Sequence, residues 1–173
     1  MYSNKGKRDI LIFPNFDNID KIQAIRKKYD RLADLILPHI TLVFPFSDEI
    51  SDVELFEKLS CLLKNFSPFE VSFSGVSLSD DNYIFLNCIQ GSNCIVKLHD
   101  EIYDKILPSH FNKSRVYVPH ITLGQACDIG DFKDFNAVFR TCIDTVCVEL
   151  IGENEESIVL KSIKLGYCSF DSL

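Results

Sequence analysis

Two histidines stand in identical surroundings 81 positions apart, in Pro38-His39-Ile40-Thr41-Leu42 and Pro119-His120-Ile121-Thr122-Leu123. Imidazole titrates near pH 6.5, so one of two can be neutral and accept a proton while the other is charged and donates one. Placed on either side of a phosphoryl group, such a pair serves both ends of an in-line displacement, deprotonating the nucleophile and protonating the leaving oxygen. Thr41 and Thr122, with nearby backbone N–H groups, can donate to the non-bridging oxygens where charge develops. This chemistry needs neither metal nor cofactor, and none is expected. The sequence holds no carboxylate constellation and no glycine-rich P-loop that would bind a metal with a nucleotide.

The spacing indicates how the groups are presented. Proline suits the first residue of a strand, so each pentapeptide is expected to open one. Side chains alternate in a strand, which puts each His and the Thr two places on together on one face, about 7 Å apart, with Ile and Leu toward the core. Literal repetition points to a duplicated unit. Two such strands related by a pseudo-twofold axis would gather His39, Thr41, His120 and Thr122 around one cleft. Packing alone would retain Pro, Ile and Leu in both copies, but gives no reason to retain His and Thr on the opposite face.

Other residues are weaker candidates. Arg115 and Tyr117 precede the second motif and could reach a substrate from its flank, Arg115 by bidentate phosphate contacts. Phe44 could stack a base, although alternation puts it on the core face with Ile40 and Leu42. His99, among Lys97, Asp100 and Glu101, and His110, after Pro108-Ser109, read as solvated. The basic run Arg26, Lys27, Lys28 and Arg31 reads as a solvated helix face, and is also the best single place for an RNA backbone to lie.

These residues need elements to hold them. Asp9 to Phe13 reads as a strand closed by Pro14, and Ile19, Ile22, Ile25 and Tyr29 as an amphipathic helix. After the first motif strand, Ser51 to Lys64 reads as a helix capped by Asp48 or Ser51. Strands follow at Phe69 to Phe73 and Tyr83 to Cys88, then a helix from about Asn93 to Leu107 and the second motif strand. A short helix is expected near Phe132 to Arg140. Thr145 to Ile151 and Ser157 to Leu165 read as antiparallel strands joined by Glu153-Asn154-Glu155-Glu156.

Composition bounds the setting. The 173 residues are 46% hydrophobic and 25% charged, as in an ordinary globular domain. A chain of this length buries roughly 70% of its unfolded surface and needs no disulfide or metal staple. Eighteen basic against 25 acidic residues, a net charge of −7, argue against coating long double-stranded nucleic acid, though not against a local phosphate site. Seven cysteines without a C-x-x-C pair (Cys61, Cys88, Cys94, Cys127, Cys142, Cys147 and Cys168) are expected as reduced core residues of a cytoplasmic protein. No stretch reads as a signal peptide or membrane span. The expectation is a monomer.

With both H-x-T motifs in place, the chain resembles the two-histidine phosphoesterase superfamily, in particular its bacterial 2′-5′ RNA ligase-like branch. The run Ile22-Gln23-Ala24-Ile25-Arg26-Lys27-Lys28-Tyr29-Asp30 leading to Pro38 through Phe46, and Val118 through Gly124, are similar to a small subgroup of that branch. Arg31 departs from it, standing where the subgroup tends to carry Pro. The resemblance implies an α/β (α+β) bilobal duplicated fold, in which two antiparallel sheets flank a central cleft with helices outside. It spans one domain, 1–173, with lobes of about 1–80 and 81–173. It implies action on a 2′,3′-cyclic phosphate or 2′-5′ linkage of a nucleotide or RNA end. By position, His39 would protonate the leaving oxygen, His120 would activate the attacking water or hydroxyl, and Thr41 and Thr122 would hold the phosphate. At this point the sequence also allows a non-catalytic module that binds RNA ends or a phosphorylated metabolite, and a duplicated scaffold with no working cleft.

Overall fold

The computed structural model describes residues 4–132 and 134–166. The elements run β1 (Arg8–Ile12), α1 (Asp20–Tyr29), β2 (Ile40–Phe46), α2 (Asp52–Leu63), β3 (Phe69–Leu78), β4 (Tyr83–Gln90), α3 (Ser92–Lys105), β5 (His120–Gln125), β6 (Phe139–Ile143), β7 (Thr145–Ile151) and β8 (Ser157–Lys164). They build two four-stranded antiparallel sheets, ordered β2-β1-β7-β8 and β5-β4-β3-β6. The duplicated unit is strand, helix, strand, namely β1-α1-β2 and β4-α3-β5. In both copies the motif strand returns beside the strand that opened the unit and becomes the edge of its sheet. A division near residue 80 does not follow the sheets, because β3 joins the second sheet while β7 and β8 come back to complete the first.

The duplication extends to a backbone irregularity. Leu11 pairs with Thr41 but Ile10 with Val43, so β2 carries an extra residue just after its Thr. Phe85 pairs with Thr122 but Ile84 with Gly124, so β5 carries one at the matching place. A bulge interrupts strict alternation. Leu42 and Val43 are consequently both buried, as are Leu123 and Gly124. Phe44 therefore leaves the core face on which uninterrupted alternation would put it, and is only half-buried. Gly124 itself has φ +137°, in the region that favours glycine.

Ile10, Ile12, Ile40, Val146 and Val148 form the core side of the first sheet, and Ile84, Leu86, Ile121 and Leu123 that of the second. Each such side chain contributes about 1.5–3 kcal/mol on burial. Helix α2 adds Leu55, Leu59, Leu62 and Leu63. Its N-terminus is fixed by Ser51, whose Oγ accepts the Glu54 N–H at 3.2 Å, with Asp52 and Glu54 in the first turn favoured by the helix dipole.

Two expectations change here. Where a short helix near Phe132 to Arg140 is expected, the described residues show a 3-10 turn at Gly130–Phe132, further turn bonds from Phe135 N–H to the Phe132 carbonyl and from Asn136 N–H to the Asp134 carbonyl, and then strand β6 from Phe139. Strand β3 takes Phe139–Ile143 as its second partner, and the helix-like spacing of Phe132, Phe135 and Phe139 serves ring contacts: Phe132 meets Tyr29 with centroids 5.0 Å apart, and Phe139 meets Phe16 at 5.6 Å. The six described cysteines are free thiols, yet only Cys147 is buried; Cys61, Cys127 and Cys142 are exposed. Strand and helix periodicity turns a residue outward even when its neighbour is core, as Cys142 does beside Ile143. Cys168 lies outside the described residues.

One polar pair sits inside the first sheet. Asp9 and Glu149 are cross-strand partners, 5% and 1% exposed. Glu149 accepts a hydrogen bond from Ser157 Oγ, while Asp9 Oδ1 has no partner among the described residues. Burial first, and then the Glu149 charge, hold the Asp9 carboxyl far above its ordinary range. Among the described residues no helix is long and apolar enough to cross a membrane.

Candidate active site

The edge strands β2 and β5 lie in contact, bringing the two motifs together from opposite sheets. Pro38, Ile40, Leu42 and Pro119, Ile121, Leu123 are buried, while His39, Thr41, His120 and Thr122 are half-buried on the other face, as alternation requires. The two imidazoles are anchored alike. His39 Nδ1 meets the Leu37 carbonyl at 2.8 Å, and His120 Nδ1 meets the Val118 carbonyl at 2.7 Å. A carbonyl only accepts, so each neutral ring carries its hydrogen on Nδ1 and keeps a bare lone pair on Nε2. Aromatic rings support both: Phe85 stacks on His120 with centroids 3.7 Å apart, and Phe13 meets His39 edge-on at 6.2 Å.

The electrostatics of the two rings differ. Burial lowers the His39 pKa to about 4, against the Leu37 hydrogen bond; positive charge on Arg26 and on His120 also lowers it, while the Asp30 carboxylate paired with Arg26 raises it. Burial also lowers His120, opposed by its bond to Val118. Without a bound anion both rings are therefore uncharged at neutral pH, and His39 is held so the more firmly. Each motif histidine senses its surroundings as part of one site, since protonation of His120 disfavours that of His39.

Arg26, expected on a solvated face, is instead 1% exposed. It ion-pairs with Asp30 at 2.8 Å and donates from Nη1 to the Ile36 carbonyl at 2.8 Å, tying down the chain that leads into His39. The signal is in the helical period, because Arg26 falls at i+4 from Ile22 and three before Tyr29, within the apolar stripe. Lys27 does lie on an exposed face. Arg31 pairs with Glu155 of the β7–β8 turn. Among the described residues no three His, Cys, Asp or Glu side chains converge as a metal cage would need.

Beside the motifs lies a recess of about 190 Å³, lined by Phe44, His99, Tyr103, His110, Phe111, Asn112, Arg115 and Tyr117. It brings together all three flanking candidates. The Arg115 guanidinium lies 4.9 Å from the centre of the Phe44 ring, and among the described residues no carboxylate is paired with it. Tyr117 turns its ring to the recess but commits its hydroxyl, which donates to the Thr41 carbonyl at 2.8 Å. His99 is not solvated: it is 4% exposed, and its Nδ1 bonds the Leu42 carbonyl at 2.7 Å. It too sits in an apolar stripe, at i+4 from Ile95 and three before Ile102. His110 is half-buried against Phe46 and bonds Asp48 at 2.7 Å. The recess adjoins a larger groove whose walls include Asp100, Glu101 and Asp104.

Comparison with known proteins shows what the chain as a whole is similar to. Residues 14–141 match the family model of the 2′-5′ RNA ligase superfamily. A protein of Oceanobacillus iheyensis bearing a provisional phosphoesterase name is 34% identical over 134 residues, covering 74% of this chain and 75% of its own. A similarly named protein of Bacillus anthracis is 30% identical over 132 residues, with 74% of each chain covered. Among solved structures, E. coli LigT complexed with 3′-AMP superposes with a TM-score of 0.62 at 19% identity, over 92% of this chain and 98% of LigT. A Thermus thermophilus protein, TT0787, gives 0.64 at 12% identity, over 92% and 98%. LigT has also been crystallised with ATP and with NADP+.

Proposed function

The chain belongs to the 2′-5′ RNA ligase superfamily of two-histidine phosphoesterases, and from that membership we propose that it opens a 2′,3′-cyclic phosphate, or acts on a 2′-5′ phosphodiester, of a nucleotide or RNA end without a metal. The observation that carries this reading is the matched pair of imidazoles. Both Nδ1 atoms are engaged by backbone carbonyls, which leaves both Nε2 atoms for chemistry.

In the proposed hydrolysis a water oxygen attacks phosphorus in line and gives its proton to Nε2 of neutral His39. The bond from phosphorus to the ribose oxygen opposite breaks, and that oxygen takes the proton carried by Nε2 of His120. Thr41 and Thr122 donate to the non-bridging oxygens. The resemblance implies the reverse roles for the histidines. The firmer depression of His39, mainly under burial, favours it as the base. A bound phosphate anion raises both pKa values and charges the less depressed His120 first.

The recess supports a substrate with a flat group beside the phosphate, held by Phe44, the Tyr117 ring and Arg115. The nucleotides found with LigT are consistent with that class. The acidic groove next door disfavours a long polyanion and favours a small ester or an RNA end. A monomer in a reducing cytoplasm belongs to the same proposal. Incubation with 2′,3′-cyclic AMP and a short RNA ending in a cyclic phosphate, in EDTA, tests it. The expected product is the ring-opened monoester. Saturable binding without product would favour a recognition module, with His39→Ala and His120→Ala indistinguishable from wild type.

A further inference from the structure

We infer that Tyr117 and His99 are positioning residues that hold the first motif strand in register with the second motif, an inference that rests on reading the cleft as a phosphoesterase site. Strand β2 is an edge strand with a bulge directly after Thr41, so its backbone lacks a neighbouring strand on one side and has a broken ladder on the other. Side chains make up the loss at three points. The Tyr117 hydroxyl donates to the Thr41 carbonyl at 2.8 Å, His99 Nδ1 donates to the Leu42 carbonyl at 2.7 Å, and the Phe44 N–H donates to the Tyr103 hydroxyl at 3.3 Å.

The first two are mechanically one piece. The His99 and Tyr117 rings stack with centroids 3.7 Å apart and planes 3° from parallel. Tyr117 stands three residues before His120 and next to Val118, whose carbonyl orients the His120 ring. One short segment thus fixes the second histidine and grips the backbone of the first threonine. Both donors are locked in the required form. Burial keeps the Tyr117 hydroxyl protonated well beyond its ordinary range and, against the pull of Asp100, lowers the His99 pKa, while the Leu42 carbonyl, which can only accept, fixes the His99 hydrogen on Nδ1. A catalytic pair in which each member belongs to a different sheet needs such a tie, because a displacement of about 1 Å can cost on the order of 100-fold in rate.

Two substitutions that retain a ring, and a third that gives up the ring to restore a donor, separate positioning from folding. Tyr117→Phe keeps the ring and removes only the hydroxyl; His99→Phe keeps a ring and removes the donor; His99→Asn restores a donor at the Nδ1 position. On 2′,3′-cyclic AMP, Tyr117→Phe and His99→Phe are expected to lower kcat by about tenfold or more. KM should stay within about threefold, His99→Asn should recover part of the loss, and the double variant should be no worse than the poorer single, since both act through one strand segment. A readout independent of turnover is the NMR pH titration of the imidazoles. In wild type the His39 signals should show a second inflection as His120 ionises, and in Tyr117→Phe that inflection should shrink. Unchanged kcat together with an unchanged inflection would overturn the inference. If the wild type opens no cyclic phosphate the functional reading fails, and the titration still decides the tie between the motifs.

Discussion

A Cβ on Gly124 would lie 2.3 Å from both the carbonyl carbon and the carbonyl oxygen of Tyr29. The last turn of α1 therefore packs directly onto the bulge that follows the second motif, at a residue whose φ of +137° favours glycine on its own account. The matching position of the first motif is Val43, which has no positive φ. Gly124→Ala is expected to destabilise by about 3 kcal/mol or more, a fall in Tm of roughly 6–12 °C for a chain of this size. Calorimetry checks this, and a change under about 2 °C would show that the helix does not bear on the bulge.

The buried Asp9–Glu149 pair makes stability depend on pH in a defined direction. Asp9 is held protonated in the fold above its ordinary pKa of 3.8. The native state then binds more protons than the unfolded one, so stability falls as pH rises from about 4 toward the folded pKa. Asp9→Asn keeps the shape and a donor toward Glu149 but cannot ionise. Its Tm at pH 8 should exceed wild type by at least about 2–4 °C, equivalent to about 1 kcal/mol, with the difference closing near pH 4. A variant less stable than wild type at pH 8 would contradict the assigned protonation.

Arg115 tests the recess. Its guanidinium has the Phe44 face beneath it and no carboxylate partner among the described residues, so it is free to meet an anionic or flat substrate group. Arg115→Ala should raise KM for 2′,3′-cyclic AMP about tenfold, the equivalent of one charge-assisted hydrogen bond, and leave kcat within about threefold. Unchanged KM would remove the recess from the binding site.

Much of this architecture is legible in the amino-acid order. The repeated pentapeptides locate both motif strands, and alternation correctly pairs each His with its Thr, because local strand geometry decides both. Phe44 escapes that reading because a bulge is set by pairing with β1, which periodicity within β2 does not encode. The helix expected near Phe132 to Arg140 escapes it because the same spacing of phenylalanines serves a turn leading into a strand, in which Phe132 meets Tyr29, Phe139 meets Phe16, and Phe135 meets Phe139. Arg26 and His99 lie within apolar stripes that the sequence displays, but their polarity argues for solvent. What moves them inside is a set of backbone carbonyls, at Ile36 and Leu42, supplied by distant turns and strands. The pairing of strands from both ends of the chain into the first sheet is likewise beyond any local signal.

The central claim is that His39 and His120 act as a base and an acid on one phosphate. The most direct measurement is the pH dependence of kcat/KM on 2′,3′-cyclic AMP in EDTA, for wild type, His39→Ala and His120→Ala. The account expects a bell lying on the acid side of neutrality, with one limb near pH 4 from His39 and the other below 6.5 from His120. Because the substrate anion stabilises the imidazolium, the kcat profile should be displaced upward from it. Each alanine variant should lose about 100- to 10,000-fold and one limb of the bell. A profile without limbs, or variants as active as wild type, would contradict the account.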